Sequence, residues 1–337
     1  MITVGVDRAA LFRCWEEILS SGQLTEGKYV RMLEDAVAER LGRHAVALNS
    51  AGTALYAVMR YFPVPGRVIV PNNTFFATGA MVREAGHEVV LADCSRTDFS
   101  LSLEAVEAAC TGAEFAVVLT HVGGGLAGDY VRIARFCAQR DLVLIEDAAH
   151  ALGTFEGRLH AGAHGRAAVF SLYPTKAVPA GEGGLLVTAD AGLAEFAREF
   201  RNYGKRRQDG AIRYGQGFNF RMDEWTAAVA WLQVRRMAEI VERRAAAADR
   251  LFRVCPPLVR WVGGANWYKY IAPAGFGATR TAGRVYAAGD QLAAALGLPG
   301  VFPACDWAAR AHDCLPIGEG LYDGMAPGDI EKFLKGG

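Results

Sequence analysis

The 337-residue sequence predicts an α/β protein in which a mainly parallel sheet of seven strands is flanked by helices and followed by a smaller α+β region. Two observations lead to this prediction. Short apolar segments alternate with helical patterns through the first two thirds of the chain, and this alternation is typical of parallel sheets. Most of the apolar segments are continuous rather than interrupted by polar residues, as strands buried on both faces are.

Seven segments are predicted to be the strands of the sheet, and five to be the helices that connect them. The predicted strands are residues 46–49, 68–71, 88–93, 115–122, 143–147, 167–173 and 184–188. The predicted helices are residues 54–61, 77–85, 103–109, 130–140 and 193–201. One longer helix, rich in alanine and arginine, is predicted over residues 223–251.

The sequence pattern changes near residue 250, where we place a domain boundary. Residues 1–250 would form a large domain that holds the sheet, and residues 251–337 a small α+β C-terminal domain. In the small domain we expect a pair of strands around Trp261 and residues 268–271, and a short helix over residues 329–334.

The composition argues against several classes of function. Lysine plus arginine and aspartate plus glutamate both number 36, so no field of one sign would attract nucleic acid or an anionic membrane. No apolar run approaches the ~20 residues of a membrane span, and the first residues lack a signal-peptide pattern. The seven cysteines have no metal-binding spacing. We therefore expect a cytoplasmic protein without a metal site.

Functional side chains are expected where the predicted strands end, because ligands of parallel sheets bind at the carboxyl ends of strands. Asp147 ends one strand, although capping of a helix is an alternative role for this residue. Lys176, one of only six lysines, follows another strand and the strand-stopping Pro174. A flexible turn, residues 181–184 (Gly-Glu-Gly-Gly), leads into the next strand.

Residues 50–53 (Ser-Ala-Gly-Thr) lie between a predicted strand and a predicted helix, where backbone N–H groups can bind a phosphate. Phe75 and His150 are planar side chains that could cover a flat ring, although each has an ordinary alternative as a packed or hydrogen-bonded residue. A lysine amine, a carboxylate, a phosphate-binding turn and planar side chains are together what the cofactor pyridoxal 5′-phosphate (PLP) requires.

Six motifs in this order resemble those of the DegT/StrS family of sugar aminotransferases, which are fold-type-I PLP enzymes. The resemblance covers roughly residues 15–250 and recurs weakly at the end of the chain. The motifs are SGQLTEG at 21–27, PNNTFFAT at 71–78, EDAAHALG at 146–153, FSLYPTK at 170–176, GEGG at 181–184 and GFNFRMDE at 217–224.

The resemblance implies a role for each candidate residue. Lys176 would hold PLP as a Schiff base and move the proton between substrate and cofactor, and Asp147 would pair with the pyridine nitrogen. Phe75 and His150 would flank the ring, with His150 standing where many members have glutamine. The residues that would contact the phosphate are Ala51, Gly52, Thr53 and Ser171, together with Asn219, which would reach the neighbouring subunit of a homodimer.

The implied activity is PLP-dependent transfer of an amino group from glutamate or glutamine to a keto or aldehyde group. The acceptor would be a sugar, nucleotide-linked in the expected case, or a cyclitol, in polysaccharide or natural-product biosynthesis. Arg221 is a candidate to bind the donor carboxylate. The segment from 267 to 296 looks shortened, with residues 283–286 in place of the family's usual His-containing loop, so the acceptor stays open.

The sequence also supports an NAD-dependent dehydrogenase. Residues 123–128 satisfy G-x-G-x-x-G after a strand and before a helix, and Glu146 and Asp147 lie near the spacing of a ribose contact. However, that fingerprint normally opens a domain, whereas this one follows the fourth strand. Tyr173 and Lys176 are three apart with a proline between them, which the helical Tyr–Lys pair of a short-chain dehydrogenase would not tolerate.

Two further hypotheses keep the PLP fold but change the function. The first is a PLP-dependent sugar dehydratase of the same family, in which the members concerned replace the lysine with histidine, so Lys176 argues against it. The second is a noncatalytic sensor or scaffold, which would not need a lysine, an aspartate and a phosphate turn together.

Overall fold

The protein is described by a computed structural model that covers residues 5–157, 159–206, 209–212 and 217–336. The helices of these segments are α1 (Arg8–Ser21), α2 (Lys28–Leu41), α3 (Ala51–Tyr61), α4 (Phe76–Glu84), α5 (Leu103–Ala109), α6 (Tyr130–Gln139), α7 (Ala191–Phe200), α8 (Glu224–Arg235), α9 (Met237–Phe252), α10 (Leu292–Leu296), α11 (Pro303–Ala311) and α12 (Pro327–Lys335). The strands are β1 (His44–Leu48), β2 (Arg67–Pro71), β3 (Glu88–Ala92), β4 (Glu114–Thr120), β5 (Gly125–Leu126), β6 (Val143–Asp147), β7 (Phe155–Glu156), β8 (Leu159–His160), β9 (Ala167–Ser171), β10 (Gly184–Thr188), β11 (Val262–Ala265), β12 (Tyr270–Pro273) and β13 (His312–Leu315).

Seven strands form the central sheet in the order β1–β10–β9–β6–β4–β2–β3. The β2–β3, β2–β4, β4–β6 and β6–β9 pairs are parallel, whereas β10 runs antiparallel to both of its neighbours. The predicted α/β fold with a mainly parallel seven-stranded sheet is therefore confirmed. All seven predicted strands are present, with ends within two residues of the prediction.

The sheet is buried on both faces, as its continuous apolar strands predicted. In β4, Val117 and Leu119 contact a core that includes α2, α6 and α8, while Ala116 and Val118 contact a second core that includes α3 and α7. All four side chains are fully buried. Because helices cover both faces, access to the sheet is left at the ends of its strands.

The N-terminal helices α1 and α2, which were not predicted from the sequence, are held by caps. Asp7 accepts hydrogen bonds from the N–H groups of the first turn of α1. Glu224 is buried and accepts hydrogen bonds from the N–H groups of Gly27, Tyr29 and Val30, at 2.9, 2.7 and 3.0 Å, at the start of α2. Glu224 thus joins the first and last of the six motifs.

The prediction of one helix over residues 223–251 is wrong, because α8 ends at Arg235 and α9 begins at Met237. Between them Arg236 leaves the helical conformation, with φ −90° and ψ 2°, and its side chain bonds Glu239 and Glu319. No glycine or proline marks the break, so only the tertiary contacts of the arginine reveal it.

The prediction of a strand pair around Trp261 and residues 268–271 is also wrong. The strand that follows Trp261, β11, pairs with β5, while β12 pairs with β13. Each strand therefore finds a partner elsewhere in the chain. The short helix predicted near the end is present as α12.

The elements after α9 form two further apolar clusters. One joins the end of α9 to β12 and α12, and the other joins α11 to residues near β3. The domain boundary near residue 250 stays a prediction. In the described part of the chain, no helix is long and apolar enough to cross a lipid bilayer.

Candidate active site

A cavity of about 490 Å³ lies at the carboxyl ends of β4, β6 and β9, beside the N-terminus of α3. Tyr268, Val285 and Tyr286 of the C-terminal region form another of its walls. Seven of the nine predicted site residues line this cavity: Lys176, Asp147, His150, Phe75, Ala51, Gly52 and Ser171. Residues from separate parts of the sequence meet here because the strands run parallel and end at one edge.

Asp147 is the last residue of β6, where its carboxylate is buried and faces the cavity. Its Oδ2 accepts a hydrogen bond from the Thr78 hydroxyl at 2.7 Å, and its Oδ1 accepts one from the Ala149 N–H at 3.2 Å. Thr78 is in turn bonded to Thr74, and Thr74 to Thr120. A carboxylate oxygen has two lone pairs, so Asp147 retains acceptor capacity toward the cavity.

Lys176 follows β9 and lines the cavity. It lies in a turn in which its backbone N–H donates a hydrogen bond to the carbonyl of Tyr173 at 2.9 Å. Burial lowers the pKa of the Lys176 amine to about 8, although Asp147 opposes this shift and Lys269 adds to it. A lysine with this pKa has an appreciable neutral fraction near pH 7, which is the form that attacks a carbonyl.

His150 is buried, and its Nδ1 accepts a hydrogen bond from the N–H of Gly123 at 3.3 Å. An Nδ1 that accepts leaves the ring proton on Nε2. Burial lowers the pKa of His150 well below its usual value, and the charges of Lys176 and Lys269 add to the shift. The imidazole is therefore neutral near pH 7.

The phosphate turn predicted at residues 50–53 forms the first turn of α3. Ser50 is the N-cap, and its Oγ accepts from the N–H of Thr53 at 3.1 Å. This bond uses the N–H of Thr53, whereas Ala51 and Gly52, the first two residues of the helix, line the cavity. The turn at residues 181–184 packs against the turn at residues 50–53. A Cβ on Gly184 would lie 2.2 Å from the backbone carbonyl carbon of Ser50, so glycine is required there.

Two predicted residues lie outside the cavity lining of their own chain. The hydroxyl of Thr53 points back to Asn49 Oδ1 at 2.7 Å, and Asn219 is exposed in a short bridge with Asn202. Arg221, the candidate for the donor carboxylate, also lies elsewhere, since its Nη1 donates to Asn202 Oδ1 at 2.6 Å. Phe75 lines the cavity but is 65% exposed.

The structure contradicts the dehydrogenase hypothesis, because the glycine-rich loop at 123–128 is packed under the C-terminal region. A Cβ on Gly125 would lie 2.0 Å from the ring of Trp261, so no nucleotide has room there. The acidic candidate Glu146 is fully buried and accepts hydrogen bonds from His121 and Tyr130, at 2.9 and 2.8 Å. The loop serves as packing, and α6 begins only at Tyr130.

Sequence reasoning gave no individual role to several cavity residues, among them Thr78, Thr120, Tyr268 and Tyr286. Thr78 stands one helical turn after Thr74 inside one of the six motifs, a spacing that could have indicated its contact with Asp147. Tyr286, by contrast, belongs to the segment 283–286, which was expected only to replace the family's usual His-containing loop, and the residue itself was given no role. Its ring is buried and lies 6.1 Å from that of His150, at an angle of 22°.

One cluster outside the cavity has metal-ligand chemistry. The ligand atoms of Asp93, Cys94 and Cys305 lie within 4.8 Å of one another. However, Asp93 accepts hydrogen bonds from the N–H groups of Cys94, Ala304 and Cys305, at 2.9, 3.0 and 2.8 Å. A hydrogen bond with Cys94, together with burial, raises the pKa of the Cys305 thiol, whereas a metal binds the thiolate. The cluster is explained as a cap of α11, and the absence of a metal site stays a prediction.

Comparisons with known proteins agree with this geometry. A model of the DegT/DnrJ/EryC1/StrS aminotransferase family matches residues 7–254. A pleiotropic regulatory protein of Geobacillus stearothermophilus is 32% identical over 238 residues, which cover 69% of this chain and 63% of that protein. The UDP-4-amino-4,6-dideoxy-N-acetyl-beta-L-altrosamine transaminase of Helicobacter pylori is 31% identical over 251 residues, which cover 71% of this chain and 66% of that protein.

The chain thus spans slightly less than two thirds of the length of these two curated relatives. Among solved structures, DesV of S. venezuelae superposes with a TM-score of 0.87 at 27% identity, covering 98% of this chain and 94% of that one. The family model, the curated relatives and the solved structure all agree with the resemblance seen in the six motifs. The chain belongs to the DegT/DnrJ/EryC1/StrS aminotransferase family.

Proposed function

We propose that the protein is a PLP-dependent aminotransferase that transfers an amino group to a keto or aldehyde group of a sugar. The observation that carries this proposal is the meeting of Lys176 and Asp147 in one cavity beside the N-terminus of α3. The family is PLP-dependent. An amine, a carboxylate and a helix N-terminus match the aldehyde, the ring nitrogen and the phosphate of that cofactor.

The residues of the cavity fit PLP in two further respects. Ala51 and Gly52 are the first two residues of α3, where backbone N–H groups have no acceptor within the helix. The space beside Gly52 is open, since a Cβ there would meet only Ser50 Oγ and Ala77 Cβ, at 3.7 and 3.9 Å. An anionic group would therefore find both donors and room at this turn.

When bound, PLP supplies an electron sink that lowers the barrier to losing a proton from the substrate carbon. Lys176 would hold the cofactor through its Nζ and then carry the proton at the same atom. Asp147 would keep the ring nitrogen protonated. His150 is neutral, so it would add no charge to the cavity, and it would cover the ring together with Phe75.

The substrates and the assembly belong to the same proposal. The named activity of the Helicobacter pylori relative supports a nucleotide-linked sugar as acceptor. Glutamate or glutamine would be the donor. Asn219 is exposed and outside the cavity of its own chain, which supports its action across a homodimer. A small domain, residues 251–337, would close the cavity, and the protein would work in the cytoplasm.

The test is the absorption spectrum of the purified protein with added PLP, followed by borohydride reduction and peptide mapping. We expect a yellow protein that borohydride bleaches, with the adduct on Lys176. A Lys269→Arg variant is the matched control, because it changes the neighbouring lysine and should keep both colour and adduct. Colour that persists in Lys176→Arg, or a native protein that stays colourless with PLP, would rule the proposal out.

A further inference from the structure

We propose that Tyr268 is a positioning residue that holds the Lys176 amine against the face of its ring, and that Asn266 fixes Tyr268 in this place. The inference rests on the proposed function in one respect, which is that Lys176 is the reacting amine. The lysine would then be oriented from the C-terminal region, whereas the carboxylate and the phosphate turn come from the sheet.

The contacts of Tyr268 enclose the lysine. The Nζ of Lys176 lies 4.5 Å from the centroid of the Tyr268 ring, within the range of a cation–π interaction. The hydroxyl of Tyr268 lies 3.2 Å from that of Thr175, the residue before the lysine. The ring also lies 4.5 Å from the ring of His150. Tyr268 therefore contacts both the amine of Lys176 and the side chain of the preceding residue, Thr175.

Asn266 ties this tyrosine to the end of β6. Its Oδ1 accepts a hydrogen bond from the N–H of Tyr268 at 2.9 Å. Its Nδ2 donates to the carbonyls of His150 and Leu152, at 2.8 and 2.9 Å. The asparagine is 1% exposed, so loss of these bonds would leave buried polar groups without partners. The position of Tyr268 is thereby coupled to the segment that follows Asp147.

Arg244 of α9 also holds this segment. Its guanidinium donates to the carbonyls of Asn266, Trp267 and Tyr268, with the shortest bond, to Trp267, at 2.7 Å. Trp267 has φ +52°, a conformation that non-glycine residues adopt at a cost. Buried, charge-assisted hydrogen bonds offset this cost and keep the turn in one shape.

The glycine-rich loop makes room for this arrangement. The N–H groups of Asn266 and Lys269 donate to the carbonyls of Gly124 and Gly123, both at 2.9 Å. A Cβ on Gly124 would lie 2.1 Å from Asn266 Oδ1, so the asparagine could not enter beside any larger residue. The glycine-rich loop at 123–128, which resembles a nucleotide-binding fingerprint, thus provides the space and the carbonyls that Asn266 and Tyr268 pack against.

The test is an NMR measurement of how the ring shifts the signal of the lysine amine, on the full-length protein freed of any cofactor. Reductive methylation with ¹³C-formaldehyde labels the lysine amines, and the chain has only six lysines, so each signal is assignable by substitution. An amine that lies over an aromatic face has its methyl signal shifted upfield. We expect this upfield shift for Lys176 in the native protein and in Tyr268→Phe, and its loss in Tyr268→Leu.

Lys335 is the internal control, because its amine lies 5.2 Å from a different ring, that of Phe276, and its signal should not move in the Tyr268 variants. Asn266→Ala keeps the tyrosine but removes the hydrogen bond to its backbone, so it should reduce the upfield shift of the Lys176 signal. A native Lys176 signal at the position of an exposed lysine would overturn the proposal, whether or not any variant folds. Borohydride trapping of PLP on Lys176 without an upfield shift would overturn this inference alone, whereas a shift without trapping would uphold the geometry and count against the proposed cofactor.

Discussion

The lowered pKa of Lys176 predicts how fast the amine reacts with PLP at each pH. With a pKa of about 8, roughly one Lys176 amine in ten is neutral at pH 7. An ordinary lysine, with a pKa of 10.5, is neutral in only about one molecule in 3,000 at that pH. Because the neutral amine is the nucleophile, the buried lysine should react roughly 300 times faster at pH 7 than an exposed lysine of equal reactivity.

The assay is stopped-flow absorbance of the cofactor-free protein mixed with PLP between pH 6 and pH 10. We expect the rate to rise about tenfold per pH unit at low pH and to level off above about pH 8, where the amine is already neutral. A rate that keeps rising tenfold per unit up to pH 10 would refute the reasoning, because the amine would then titrate as an exposed lysine.

A matched variant tests the cause of the shift. The charge of Lys269 lowers the pKa of Lys176, so Lys269→Gln should raise that pKa and move the plateau to higher pH. Burial makes the largest contribution, so the plateau should still lie below the pH expected for an exposed lysine. No movement of the plateau in Lys269→Gln would show that the two amines are too well screened to interact.

Three further predictions concern the site and the fold. Asp147→Ala should still attach PLP to the lysine but lose most transamination with glutamate, because the electron sink is lost; a near-normal steady-state rate would contradict the assigned role. Mixing Lys176→Ala with Asn219→Ala subunits should restore activity in hybrid dimers that contain one intact site, and the absence of rescue would argue against a site shared between subunits. Glu224→Ala should lower the free energy of unfolding by roughly 3–5 kcal/mol in urea denaturation, because three N–H groups lose their acceptor. Glu104→Ala, which removes an exposed ion pair with Arg132, should change it far less.

The fold was predictable because its signals are local. A strand buried on both faces needs a continuous apolar segment, and all seven such segments became strands of one sheet. Much of the site was predictable for a related reason, since polar residues at strand ends meet at one edge when the strands are parallel. Asp147 and Lys176 satisfy this rule, and the cavity brings them together.

For two other features, the local sequence pattern was misleading. The glycine-rich loop at 123–128 has the spacing of a nucleotide-binding turn, but Trp261 and Asn266 occupy the space in front of it. Thr53 carries a hydroxyl of the phosphate turn, yet that hydroxyl donates to Asn49, the residue that precedes the turn. In both cases, the residue types are those of a binding turn, and the difference lies in which neighbouring residue takes the hydrogen bond or occupies the space.

The sequence by itself determined the strands, the helices between them, and the lysine, carboxylate and helix N-terminus at their ends, because periodicity and chain order encode these features. Only the tertiary structure decided the break at Arg236, the partners of β11 and β12, and the arrival of Tyr268 beside Lys176. The physical reason is that these features depend on contacts between distant parts of the chain. Tyr268 is held in position only when Asn266 donates hydrogen bonds to carbonyls more than a hundred positions away in the sequence. No local sequence pattern specifies such a contact.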